Sequence, residues 1–227
     1  MALIESKGNM YSWISHTWNT VKGECPHGCT YCYMKRWGKQ KPVRFDEKEL
    51  KTDLGSGNFI FVGSSCDMFA KEIPDEWIYK TMEHCKQFDN TYLFQTKNTR
   101  QLFRQIPTLP LQSRLCTTIE TDRIYPEIMK ESPAPILRGQ WMESFNRHAL
   151  RKQYFDLYVT IEPIMDFDIG QLVSVIRRIN PVQVNIGADS GNNNLPEPSK
   201  EKLLALINEL KKFTVIDQKR NLARLLK

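Results

Sequence analysis

Short apolar, β-rich runs alternate along this chain with longer segments of helical period, and that alternation limits the fold more than any other feature. The runs fall at 59–63, 91–95, 114–119, 157–161 and 182–186, with a less distinct first strand at 15–19. Between them, Trp77, Ile78, Met82 and Cys85 share one stripe after Pro74. Ile169, Leu172, Val173 and Ile176 do the same, as do Leu203, Leu204, Ile207 and Leu210, with Asp75 and Asp168 as candidate N-terminal caps. The fold class is therefore α/β, either an open doubly wound sheet or a partial barrel. Each run stops in polar residues: Ser64 and Ser65, Gln95 and Lys97, Thr118 and Glu120, Thr160 and Glu162, Asn185 and Asp189. Residues two apart share a strand face, so parallel strands would gather these groups around one cavity. Strand ends that merely meet solvent would account for any single pair.

The 227 residues carry 32 basic and 26 acidic side chains, a net charge of +6, and 41% of them are hydrophobic, enough for a core and for one domain over 1–227. That composition excludes disorder over most of the chain. The apolar stretches at 59–62 and 203–207 fall far short of the roughly 20 residues of a membrane span. The first residues lack a basic, then apolar secretory pattern, so a cytoplasmic protein with reduced thiols is expected. Six cysteines then need a reading other than disulfides. Cys66, Cys85 and Cys116 are dispersed, whereas Cys25, Cys29 and Cys32 lie within eight residues as CxxxCxxC. Pro26 and Gly28 make the intervening chain a tight turn, so the thiols can converge, and converging thiolates need a cation among them. Structural zinc would require a fourth ligand, for which His27 and His16 are candidates. Three free thiols would invite oxidation. An iron-sulfur cluster held by three cysteines would keep one iron open to a small molecule.

With Tyr31 preceding the last cysteine, this loop resembles the signature of the radical S-adenosylmethionine (SAM) superfamily. The resemblance implies a partial (β/α)6 barrel of the TIM type with the loop after its first strand. It also implies a 4Fe-4S cluster on Cys25, Cys29 and Cys32 whose fourth iron chelates the amino and carboxylate groups of SAM. One electron, from a reductant such as flavodoxin or ferredoxin, then splits SAM into methionine and a 5′-deoxyadenosyl radical that abstracts hydrogen from a substrate. Over 17–191 the chain is similar to a short phage and bacterial group without an established reaction. The similarity rests on Thr17-Trp18-Asn19, the block 61–69, Thr96-Lys97, Thr118-Ile119-Glu120, Ile161-Glu162-Pro163 and the block 187–191. The cysteine loop also has a more distant likeness to spore photoproduct lyase, a DNA-repair member. The likeness places the core at about 15–190, with helices expected at about 198–227.

The resemblance also proposes contacts for the cofactor. Tyr31 lies in the loop; Gly63-Ser64-Ser65 stands where the superfamily usually has a Gly-Gly-Glu-like turn, so Ser64 and Ser65 replace its Glu. Thr118 and Glu120 match the strand end that holds ribose or methionine, Arg123 or Lys97 would neutralise the carboxylate, and Glu162 sits at a strand mouth. Ordinary roles stand beside these: Arg123 as a surface charge, Lys97 as a helix start, Thr118 as a strand residue. Cys66 is a candidate hydrogen-atom donor or a small buried hydrophobe. The loop 187–199 is a lid or a plain connection. Lys35, Arg36, Lys39, Lys41 and Arg44 surround Trp37, a pattern that suits a nucleic-acid or nucleotide substrate or a solvated face. No dinucleotide fingerprint, phosphate loop or HExxH pair is present. A radical SAM enzyme and a non-catalytic, zinc-stabilised nucleic-acid-binding module remain the two readings.

Overall fold

The computed structural model describes residues 3–148 and 155–227. Its main sheet contains β1 (Ile4–Glu5), β2 (His16–Trp18), β5 (Phe59–Val62), β6 (Thr91–Thr96), β7 (Ser113–Thr118), β8 (Phe155–Ile161), β9 (Gln183–Ile186) and β10 (Val215–Gln218), adjacent in that order. All neighbours from β2 to β10 are parallel, and β1 pairs antiparallel with β2. A two-stranded ribbon, β3 (Val21–Lys22) and β4 (Arg44–Phe45), stands apart. The sheet order runs from β1 to β10 without closing, which makes this a partial barrel.

Strand alternation divides the apolar residues into two cores. Ile60, Val62, Tyr92, Phe94, Leu115 and Val159 face the helices. These helices are α1 (Asp75–Cys85), α2 (Thr99–Arg104), α3 (Pro126–Met129), α4 (Pro135–Phe145), α5 (Ile169–Ile179) and α6 (Lys200–Lys211). The intervening residues Phe61, Leu93 and Cys116 face the lumen, where they meet Tyr11 and Ile14. The loop between β1 and β2 thus fills the lower barrel. Tyr11 stacks on Trp13 at 5.1 Å, and Trp13 packs on Phe59 and Tyr158 at 4.7 and 5.2 Å. The Tyr11 hydroxyl donates to Gln95 Oε1 at 2.8 Å and lies 2.6 Å from Thr160 Oγ1.

The expected strands and helices appear with shifts of one or two residues at their ends, apart from three corrections. Asp75 does not cap α1; Pro74 occupies the cap, and the Asp75 carboxylate accepts instead from the side chains of Gln101 and Gln105. Asp168 does cap α5, through Gln171 N at 2.9 Å. Leu204 is exposed and Leu206 takes its place beside Leu203, Ile207 and Leu210, because 3.6 residues per turn carry position 204 round to the solvent side. Residues beyond 198 are not helical throughout: β10 extends the sheet past residue 190, followed by a short 3-10 segment at Arg220–Leu225. Tyr11→Ala should lower unfolding stability by about 3–5 kcal/mol and Tyr11→Phe by about 1 kcal/mol, measured by urea denaturation, because the first empties the lumen and the second only unpairs hydroxyl partners.

Candidate active site

The cysteine loop follows β3 and is a chain of tight turns. Gly28, at φ 63°, takes the left-handed conformation that reverses the chain between Cys25 and Cys29, and its N–H donates to Cys25 O at 3.0 Å. Neighbouring backbone holds the loop from outside: Thr30 N donates to Ile128 O at 2.9 Å, Glu131 N to His27 O at 3.1 Å, and Cys29 Sγ to Met129 O at 3.6 Å. Cys25, Cys29 and Cys32 all line one cavity of about 510 Å³, facing Gly63, Lys97 and Thr118 at the C-terminal ends of the strands.

Two buried carboxylates clamp the loop. Glu120, just past β7, is 0% exposed, and its Oε2 is 2.7 Å from Arg138 Nη1, itself 0% exposed. Its Oε1 is 3.2 Å from Lys97 Nζ and also accepts from the Tyr31 hydroxyl. Burial alone would push the Glu120 carboxyl up; Arg138 and Lys97 instead hold it down at about 2. Burial works against the Lys97 charge as well, but Glu120 keeps its pKa raised. Arg138 spends its remaining donors on Pro133 O, Thr118 O and Ser132 Oγ at 2.6, 2.8 and 3.1 Å. The second clamp is Asp67, whose Oδ2 accepts from His27 Nε2 at 2.7 Å, Thr96 Oγ1 at 2.9 Å and Lys97 N at 2.9 Å. Burial disfavours the Asp67 charge, but His27 and these N–H donors keep its pKa lowered, and burial disfavours the His27 charge, which Asp67 overcomes.

No family model and no curated protein matches the sequence. Solved structures do. A spore photoproduct lyase mutant superposes with a TM-score of 0.62 at 10% identity over 92% of this chain and 78% of that one. A mutant of the same enzyme with bound AdoMet and dinucleoside spore photoproduct gives 0.57 at 10% identity, over 92% and 64%. Methylornithine synthase gives 0.53 at 12% identity, over 88% and 63%. The chain has the fold of radical SAM enzymes.

In radical SAM terms, the structure brings together some of the expected site residues and separates others. Ser64, Lys97 and Thr118 line the cavity with the three cysteines. Thr118 Oγ1 accepts from Gln95 Nε2 at 3.1 Å, and Asn19 Oδ1 fixes the turn after β5 by accepting from Ser65 N at 2.9 Å and Ser64 Oγ at 3.3 Å. Ser65, Tyr31 and Glu120 stand behind the wall: they position it and do not face the cavity. Arg123 lies outside it, largely exposed and paired with Asp166. Glu162 is also outside it, enclosed by Lys219 Nζ at 2.5 Å and the amides of Asn9 and Asn221, both at 2.9 Å. Cys66 is 2% exposed and off the cavity wall; the neighbouring Cys66 thiol and His27 favour the Cys25 thiolate and lower its pKa against burial. Its burial fits the small buried hydrophobe of the two readings. The segment 187–199 does not line the cavity, and Asp189 ties it to itself through Gly191 N at 2.9 Å and Asn193 Nδ2 at 2.7 Å.

Among the described residues no three His, Cys, Asp or Glu side chains converge as ligands of a single ion, and the His27 ring is taken by Asp67. The three thiols instead share one cavity wall, and a four-iron cube would take each at a different corner; the donor set fits such a cluster. Arg138, Asp67 and Asn19 were not singled out in the sequence as site residues. Arg138 carried a signal, since Pro135, Arg138, Met142 and Phe145 share the buried face of α4. The folded-state pKa of Glu120 lies below its ordinary value of 4.5, so its share of stability is complete above that pH and is lost as pH falls toward 2. Glu120→Gln should therefore flatten the acid limb of the stability curve in urea titrations, while costing about 3–5 kcal/mol at pH 7 by leaving Arg138 buried and unpaired.

Proposed function

We propose that this chain is a radical SAM enzyme that holds a 4Fe-4S cluster on Cys25, Cys29 and Cys32, binds SAM in the adjoining cavity, and abstracts hydrogen from a substrate carbon. The observation that carries this reading is the placement of all three CxxxCxxC thiols on the wall of one cavity at the strand C-termini, within the radical SAM fold. A bound cluster would supply the electron that splits SAM into methionine and a 5′-deoxyadenosyl radical. The protein's own contribution is positioning and exclusion of water. Lys97 offers its ammonium to the methionine carboxylate. Ser64 and Thr118 offer hydroxyls to the amino group or ribose, and Gly63, which lines the cavity without a side chain, allows close approach. The filled lumen below leaves the cavity mouth as the route for the reacting carbon, and substrate seated in that mouth would exclude water from the radical.

The substrate is a nucleic acid or nucleotide in this reading. Lys35 and Lys39 line the mouth, next to exposed Arg36 and Trp37, and structures of spore photoproduct lyase contain a dinucleoside substrate. A low-potential donor such as flavodoxin or ferredoxin supplies the electron. Anaerobic reconstitution should give a brown protein with about four irons per chain that releases methionine and 5′-deoxyadenosine from SAM under dithionite. Replacing any one of Cys25, Cys29 and Cys32 by Ala should abolish both the cluster absorbance and SAM cleavage. A colourless wild type carrying stoichiometric zinc would refute the reading.

A further inference from the structure

A cavity of about 510 Å³ is the size of a site for one drug-sized ligand. SAM is itself a ligand of about that size, and Tyr11 and Trp13 occupy the lumen beneath the cavity. On the proposed function, only the reacting group of the substrate enters, and the remainder lies on the surface at the mouth. That surface is the segment directly after Cys32. It is a 3-10 turn, Tyr33–Trp37, ended by Gly38 at φ 78°. Trp37 is 71% exposed and Tyr33 43%, and neither packs against either hydrophobic core. Lys35, Arg36, Lys39 and Lys41 are all exposed around them, with the Arg36 guanidinium 5.9 Å from the Tyr33 ring centre. The Tyr33 hydroxyl donates to Ser64 O at 2.8 Å and holds its ring at the edge of the cavity wall, whereas the Trp37 ring, with cations before and after it, has no packing role in the structure.

We propose that residues 33–41 form a platform that binds an unpaired nucleic-acid strand across the cavity mouth. Trp37 and Tyr33 stack on bases, Arg36 and Lys41 hold phosphates on the outer side, and Lys35 and Lys39 draw the strand toward the cavity. The proposal deepens the nucleic-acid reading of the same site. A duplex keeps its base faces stacked inside, so it offers these rings nothing, whereas every unpaired base offers a π face. Phosphate contacts by surface cations release counterions and make binding salt-dependent.

The test uses the full-length, metal-free chain without SAM, so its outcome is independent of whether SAM is cleaved. A fluorescein-labelled single-stranded oligonucleotide and its duplex are titrated by anisotropy at several salt concentrations. The single strand should bind at least about tenfold more tightly than the duplex and quench tryptophan fluorescence. Trp37→Ala should weaken single-strand binding about 5- to 100-fold, the range expected from base stacking. Arg36→Ala with Lys41→Ala should lower the salt slope by about 1.4, at roughly 0.7 per phosphate contact. Circular dichroism melting verifies that these surface variants fold. Equal or tighter duplex binding, or unchanged affinity in Trp37→Ala, overturns the proposal. So does absence of strand binding with salt-dependent binding of an acidic flavodoxin to the same face, which would make it the electron donor's dock.

Discussion

The buried carboxylate of Glu120 is the contact on which the site's geometry depends. Taking Glu120 and Arg138 out of water is costly, and the cost is offset because four Arg138 N–H groups and both Glu120 oxygens find partners. Arg138 reaches Thr118 O, Pro133 O and Ser132 Oγ as well as Glu120, while Glu120 also binds Lys97 and the Tyr31 hydroxyl. One carboxylate therefore joins four pieces of chain: the end of β7, the first turn of α4, the segment after β6 and the cysteine loop. None of these could shift without stranding a charge in a low-dielectric interior.

Asp67 makes a second, parallel connection. It ties the cysteine loop through His27 to Thr96 and the Lys97 backbone, so Lys97 is fixed at both its main chain and its side chain. The ammonium is thus held at the cavity wall, with little of the rotamer freedom a surface lysine would retain. Backbone bonds from 128–131 fix the other side of the loop. The cavity wall is braced from behind by Glu120, Arg138 and Tyr31, which do not line it, and from within by the Asp67–His27 pair, which does.

Much of this was legible in the sequence, and the parts that were not share physical causes. Strands such as 91–95 and 114–119 stand out because parallel strands buried on both faces are near-continuous apolar runs. CxxxCxxC stands out because few chemistries need three close thiols. β10, four residues long and half exposed, has no such run. The strand-end rule gathered polar groups correctly but could not say which partner each would find. Gln95 and Thr118 reach the cavity, whereas Glu162 meets Lys219 and two asparagines from distant parts of the chain, and Arg123 meets Asp166. Those are contacts between residues more than 40 positions apart, which local pattern does not encode. Nothing in Met10, Tyr11 and Trp13 marks a segment that folds inside a barrel, since an aromatic run before the first strand reads equally as a hydrophobic flank.

In barrels packed by their own strands, the interior layers come from the sheet, and any change of shape there strains the hydrogen-bonded ladder. Here the filler is an insert anchored at β1 and β2, and apart from the Ser15 N bond to Phe59 O its contacts with the sheet are through side chains. Remodelling the floor beneath the cavity requires a different sequence in one short loop and leaves the scaffold intact. Relatives of this architecture can therefore diversify what fits above that floor while inheriting the same frame.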